Sequence, residues 1–226
     1  MMQDETIERI VDAVLMRMRP RLLLLLNAAD GYHEIILARL QHCRHFTPQV
    51  LFADGAQAVH PADAWRQLGP VVTPAEIEQV GALDNIDRVI APFLDFATAA
   101  EVAHDLFQSD GARCIQLARL HNTPVLALDY NCNPHSELNR LKGLGGNQDA
   151  HSLADNLPRL AQRGIQFCSL EQMLSPTPLP ATAADADAVA ETGGYITLSE
   201  LKQRNGHCPP GARLTDLALE YQRGNQ

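Results

Sequence analysis

Basic residues are sparse. The 226-residue chain has 18 Lys and Arg against 27 Asp and Glu, a formal net charge of -9. Beyond the first 21 residues no Lys/Arg cluster is dense enough to neutralise a row of phosphates, which argues against a nucleic-acid partner. Cysteine is thin as well. Cys43, Cys114, Cys132, Cys168 and Cys208 are odd in number and never spaced CxxC. That argues against a disulfide framework or a structural zinc site and fits a reducing cytoplasm. Long apolar runs are missing: Leu22–Leu26 is far short of the roughly 20 residues that span a bilayer, and the cationic stretch before it lacks a signal-peptide core and cleavage site. The expectation is a soluble, cytoplasmic protein with no membrane partner.

Catalytic signatures are missing too. Gly143-Leu-Gly-Gly146 is not GxGxxG, Lys142 precedes Gly143 instead of following it as in a Walker loop, and no GxSxG elbow occurs. His33, His42, His45 and His60 could suggest a metal, but His42 and His45 stand alone at helical spacing with no matching Asp/Glu frame, so surface or capping roles and no metal site are expected.

What is there divides into parts. The length suits one core with appendages, since domains commonly run to about 100–200 residues. Ile7, Ile10, Val11, Val14, Leu15 and Met18 form one helical stripe ended by Pro20, an amphipathic helix over residues 1–20. By periodicity alone it is either an ordinary helix packed on its own domain or a surface element for a partner. From Arg21 to residue 174 short apolar runs alternate with helical segments: RLLLLLN, YHEIILARLQHCR, QVLFA, GPVVT, TPAEIEQVGAL, DRVIA, PVLALD and ADNLPRLAQRGIQFC. Such alternation predicts a doubly wound, Rossmann-like α/β domain, a parallel sheet covered by helices on both faces. Residues 175–194, rich in Pro, Ala and Thr, form a linker; residues 195–226 form a helical docking tail.

In doubly wound sheets ligands sit beyond the carboxyl ends of the strands. The loops there are Asn27–Gly31, Ala53–Gly55, Pro92–Thr98 and Asp129–Pro134. Asn27-Ala28-Ala29-Asp30-Gly31 follows the first strand and opens a helix, so its backbone N–H groups can face an anion such as a phosphate; a plain tight turn accounts for the same residues. Thr98 offers a hydroxyl at the start of the helix after Pro92, or with Asp95 serves only to cap it.

The pieces resemble the homo-oligomeric flavin-containing cysteine decarboxylase family, FMN-binding flavoproteins, over residues 21–174. PFLDFATAAEVA stands where that family has a proline, a small or hydroxyl residue, Asn-Thr and a helix. PVLALDYNCNP stands at its Pro-Val strand and substrate-side loop, and NLPRLAQRGIQFCSLEQM at its final helix, strand and short helix. The flanking pieces resemble the microcompartment-associated branch: ETIERIVDAVLMRM is similar to encapsulation peptides, and YITLSELKQRNGHCPPGARLTDLALEY to a segment of ethanolamine and propanediol utilisation proteins. There are departures. Ala97 stands in place of the flavin-contacting asparagine, Glu101 in place of a common lysine, and Asn27–Asp30 where Gly and Ser/Thr usually meet the phosphate. Gln108 and Ala112 fall where a Gly-Ile-Ala-Asp pattern is lost, and His60 is the only candidate for the decarboxylase histidine.

The resemblance implies FMN held by Asn27, Ala28, Ala29, Asp54, Leu94, Asp95, Ala97 and Thr98. It also implies electron transfer or redox support for an encapsulated pathway, a homotrimer, and shell or cargo partners bound through the first helix. The alternative is a flavin-free homologue serving assembly or cargo adaptation. Asp30, a carboxylate beside a phosphate, opposes FMN unless it points away.

Overall fold

The computed structural model describes residues 19–144 and 148–176, together with two strand segments, 195–196 and 213–214. The helix expected before Pro20, most of the linker and the helices expected in the tail lie outside the described residues. The chain divides into two compact units, Met1–Pro176 and Thr177–Gln226.

In the first unit, strands β1 (Arg21–Leu26), β2 (Thr47–Phe52), β3 (Val71–Val72), β4 (Arg88–Ala91), β5 (Val125–Ala127) and β6 (Ile165–Phe167) form one six-stranded sheet in the order β3-β2-β1-β4-β5-β6. Every pairing is parallel. This is the doubly wound α/β fold expected, with helices flanking the sheet. The apolar run Leu22–Leu26 builds the central strand. With β2 on one side and β4 on the other, each of its leucines is at most 1% exposed. Truncating one to alanine costs about 2–5 kcal/mol.

The longer helices of the crossovers are α1 (His33–His42) between β1 and β2, and α5 (Phe96–Ala103) with α6 (Asp110–Leu120) between β4 and β5. Three one-turn helices, α2 (Ala56–Val59), α3 (Ala62–Arg66) and α4 (Pro74–Ile77), connect β2 to β4. The helix expected over TPAEIEQVGAL is only α4: a Thr73–Glu76 capping box starts it, but Val80 is fully exposed, so no apolar stripe sustains it. Helices α7 (Glu137–Leu141), α8 (Gln148–Ala154) and α9 (Asn156–Gln162) lead to β6, and α10 (Leu170–Met173) follows it. Helix α9 packs on α5, and α5 on α6.

At the opposite end of the sheet from the ligand loops, Arg88 opens β4 at 7% exposure. Its guanidinium lies 5.5 Å over the Phe46 ring, and Nη1 donates to the Ser175 carbonyl at 3.1 Å. Burial pulls its pKa down from the ordinary range. In the second unit, β7 (Tyr195–Ile196) and β8 (Arg213–Leu214) pair in parallel, an extended pairing that the helical reading of the tail did not include. Tyr and Ile are residues that favour extended backbone.

Candidate functional site

The strand order reverses direction between β1 and β4, so the crevice at their carboxyl ends is where this fold receives ligands. Side chains from both loops meet there. Asn27, 1% exposed, donates from Nδ2 to the Thr98 hydroxyl oxygen at 2.8 Å, tying the loop after β1 to the first turn of α5. Thr98 is 3% exposed, and its backbone N–H donates to the Asp95 carboxylate at 2.7 Å. Gly111, in the first turn of α6, completes the junction. A Cβ there would stand 2.5 Å from Asn27 Nδ2 and 3.2 Å from Thr98 Oγ1, so only glycine lets α6 approach this closely. The loop after β2 touches the same place, since a Cβ on Gly55 would meet the Ala28 side chain at 3.5 Å.

An aromatic cluster lies beneath this junction. His60 is 1% exposed, with its ring 4.5 Å from that of Phe93 and 5.7 Å from that of Trp65. Its Nε2 donates to the Asn27 carbonyl at 2.8 Å, which fixes the proton on Nε2 because a carbonyl only accepts. Burial is the main cause holding the imidazole pKa below its ordinary value. His60, the candidate for the decarboxylase histidine, thus lies enclosed, with its Nε2 spent on the backbone. Among the described residues, the buried side-chain polar atoms without a protein partner are Asn27 Oδ1, His60 Nδ1, Trp65 Nε1 and Asn131 Nδ2. Two belong to Asn27 and its partner His60, Trp65 packs on that ring, and Asn131 adjoins Gly31, where a Cβ would stand 2.7 Å from its Oδ1.

Neutral donors are available at the mouth. The Asn27 carbonyl accepts from both His60 and the Ala29 N–H, the latter at 2.9 Å. The Ala28 N–H has no acceptor among the described residues. The Phe96 and Ala97 N–H groups open α5, whose cap at Asp95 satisfies the Thr98 amide instead. Charge around the mouth is largely self-paired. Asp30 is held 3.0 Å from Lys142 Nζ, and that lysine lowers its carboxyl pKa, so the carboxylate expected to oppose a phosphate is compensated. Asp54 is exposed, and its Oδ2 accepts the Asp110 N–H at 2.8 Å at the start of α6. Burial, then the neighbouring Asp54 carboxylate, raises the Asp110 pKa against the pull of Arg113, which also binds Glu78 at 2.8 Å.

The sequence-derived residues thus divide. Asn27, Ala28 and Thr98 come together at the junction, and Asp95 stands at its edge as the α5 cap. Ala29 is half-buried in the turn and Ala97 is exposed on the first turn of α5. Leu94 points into the core at 0% exposure, so its contribution at the mouth is limited to backbone. Asp54 serves the α6 terminus. Sequence reasoning passed over Gly111 and Trp65; a glycine just inside a helix start after the capping Ser109 is the one local signal that marked the first. Beyond Gly31 the same loop reaches a cavity of about 400 Å3, lined by Tyr32, Ile35, Asp129, Tyr130, Leu138 and Leu170 among others. Tyr32 has φ 62° and packs edge-on against Tyr130 at 5.3 Å. No group of His, Cys, Asp and Glu among the described residues forms a metal site, and no described helix is long and apolar enough to cross a membrane.

No protein-family model matches the chain, and no curated protein matches its sequence. Solved structures do match. DmrB from Burkholderia xenovorans in complex with FMN, a cubic protein cage for redox transfer, superposes with a TM-score of 0.53 at 11% identity, over 83% of this chain and 98% of its own. The FMN-dependent cysteine decarboxylase TvaF of thioviridamide biosynthesis superposes with a TM-score of 0.50 at 16% identity, over 67% of this chain and 90% of its own. At these identities the likeness is one of fold, and that fold is the one FMN-binding DmrB uses.

Proposed function

We propose that the chain is an FMN-binding flavoprotein that supports electron transfer. The observation that carries this reading is the Asn27–Thr98 bond, which joins the two loops of the switch point beside the exposed Ala28, whose N–H finds no acceptor among the described residues. The residues fit a flavin nucleotide through neutral groups. The amides of Ala28, Phe96 and Ala97 suit the phosphate, the buried Asn27 holds Ala28 and Thr98 in place from the interior, and the Tyr32–Tyr130 cavity offers apolar walls for a ring. FMN, when bound, supplies one- and two-electron chemistry, while the protein holds it and excludes side reactions. The fold shared with FMN-bound DmrB adds support.

The test is the visible spectrum of the purified protein and its titration with FMN. Flavin absorption that follows the protein, or saturable uptake, supports the reading; a colourless protein that takes up none overturns it. Thr98→Val removes the hydroxyl that holds Asn27 and is expected to weaken FMN binding about tenfold while leaving a folded protein. A second reading rests on Asp54, whose carboxylate already occupies the α6 terminus, adding negative charge beside any phosphate. In that reading the chain is a flavin-free homologue used in assembly or cargo adaptation, and the colourless outcome favours it.

The wider assignment is also proposed: residues 1–20 as a tether to microcompartment shell or cargo proteins, residues 21–174 as the flavoprotein domain, and a homotrimer as the assembly. Deleting residues 1–19 is expected to abolish colocalisation with shells, and retained encapsulation removes the tether role. Light scattering of the purified protein reads the oligomer directly.

A further inference from the structure

Ala28 lacks an acceptor for a geometric reason. In a trans peptide the carbonyl of one residue and the N–H of the next point in opposite directions, and the described chain contains no cis peptide. The Asn27 carbonyl points down into the aromatic cluster, where His60 Nε2 donates to it at 2.8 Å. The Ala28 N–H of that same peptide unit therefore points away from the cluster, on the side where Ala28 is exposed. The Ala29 N–H, bonded to the same carbonyl at 2.9 Å, closes the turn from the other side. His60 cannot readily drift from this task. Its ring packs against both Trp65 and Phe93, which are themselves fully buried and in contact with each other at 5.6 Å, centroid to centroid.

We infer that His60 is a positioning residue for the phosphate subsite: by clamping the Asn27 carbonyl it aims the Ala28 amide at the phosphate of the bound nucleotide. The inference rests on the FMN reading above. It assigns the ring no proton transfer and no contact with the cofactor. An aromatic or aliphatic replacement keeps much of the packing but leaves the Asn27 carbonyl with the Ala29 N–H alone, so the peptide between residues 27 and 28 is freed to rotate. Glutamine retains a donor on a side chain of similar reach.

The readout is discrimination between FMN and riboflavin, which lacks the phosphate, followed by quenching of flavin fluorescence in the full chain. His60→Phe and His60→Met are expected to lower FMN affinity about tenfold to a hundredfold, the range of one hydrogen bond to a charged group, with riboflavin affinity changed less than about twofold. His60→Gln restores most of the FMN affinity. Two variants without a donor are used so that if the phenylalanine protein fails to fold, the methionine protein carries the comparison. Equal losses for both flavins, or no loss for either, overturn the positioning role while the FMN reading stands. A wild-type protein that binds no FMN overturns both.

Discussion

Replacing Gly111 by alanine sets two effects against each other. Gly111 sits inside α6 with an ordinary helical backbone, so alanine is favoured there by at most about 1 kcal/mol on propensity. Against this, the new Cβ would lie 2.5 Å from Asn27 Nδ2, 3.2 Å from Thr98 Oγ1 and 3.3 Å from Thr98 Cγ2. The first of these contacts is not tolerable, and Asn27, 1% exposed, has little room to withdraw without leaving Thr98. Overpacking of this kind costs about 1–3 kcal/mol, and a buried amide stripped of its partner about 1–3 kcal/mol. The expected net effect is a loss of about 1–5 kcal/mol, roughly 2–4 °C in Tm per kcal/mol for a domain of this size. The decisive assay is a double-mutant cycle by urea unfolding. With Asn27→Ala already in place, Gly111→Ala is expected to be close to neutral, since only the tight contacts to Thr98 remain to offset the helix gain. The coupling should therefore match the single-variant loss, about 1–5 kcal/mol. A coupling under about 0.5 kcal/mol, or a Gly111→Ala protein more stable than wild type, refutes the close junction of Asn27, Thr98 and Gly111.

Three further outcomes follow from the same geometry. Because burial lowers the folded pKa of His60 below its ordinary 6.5, the unfolded chain takes up a proton that the folded chain refuses as pH falls through that value. The His60 contribution is thus complete above that pH and declines below it; urea unfolding at about pH 7.5 and about pH 5.5 should show a smaller decline for His60→Gln than for wild type. Equal declines contradict an enclosed imidazole. Cys114 and Cys132, whose thiols are pushed up to about 12 by burial, should resist iodoacetamide in the native protein and react once it is denatured, as peptide mass spectrometry reads. Lys142→Ala, which breaks an ion pair whose side chains are 46% and 66% exposed, should change stability by no more than about 1 kcal/mol.

Much of the fold was legible because burial on both faces leaves a direct mark. A strand such as Leu22–Leu26 can be uninterruptedly apolar only where helices cover the sheet above and below, and β4 and β5 carry the same mark in shorter form. The loops after β1 and β4 were legible as neighbours because the doubly wound topology brings them together. Lengths were less so. TPAEIEQVGAL has the starting signals of a helix but no apolar face to sustain one, and only its tertiary surroundings reveal that Val80 is left in solvent. At the site, sequence position identified Asn27 and Thr98 but not their bond, which spans 71 residues. His60 looked like a candidate acid–base group because local sequence does not say that its Nε2 will meet a backbone carbonyl 33 residues away. The partner of Asp54 was hidden for the same reason: the amide it caps belongs to Asp110, 56 residues on.

The foot of β4 bears on where the chain can be shortened. Arg88 carries a charge that arginine does not give up, 7% exposed, and one of its hydrogen-bond acceptors is the carbonyl of Ser175, next to the last residue of the first compact unit. That carbonyl acts as a latch. A fragment ending at Leu174 removes it, while one ending at Pro176 retains it. Proteolytic trimming from the carboxyl end should accordingly slow on reaching Pro176, so that a single guanidinium, at the far end of the sheet from the loops after β1 and β4, would set the domain's workable boundary.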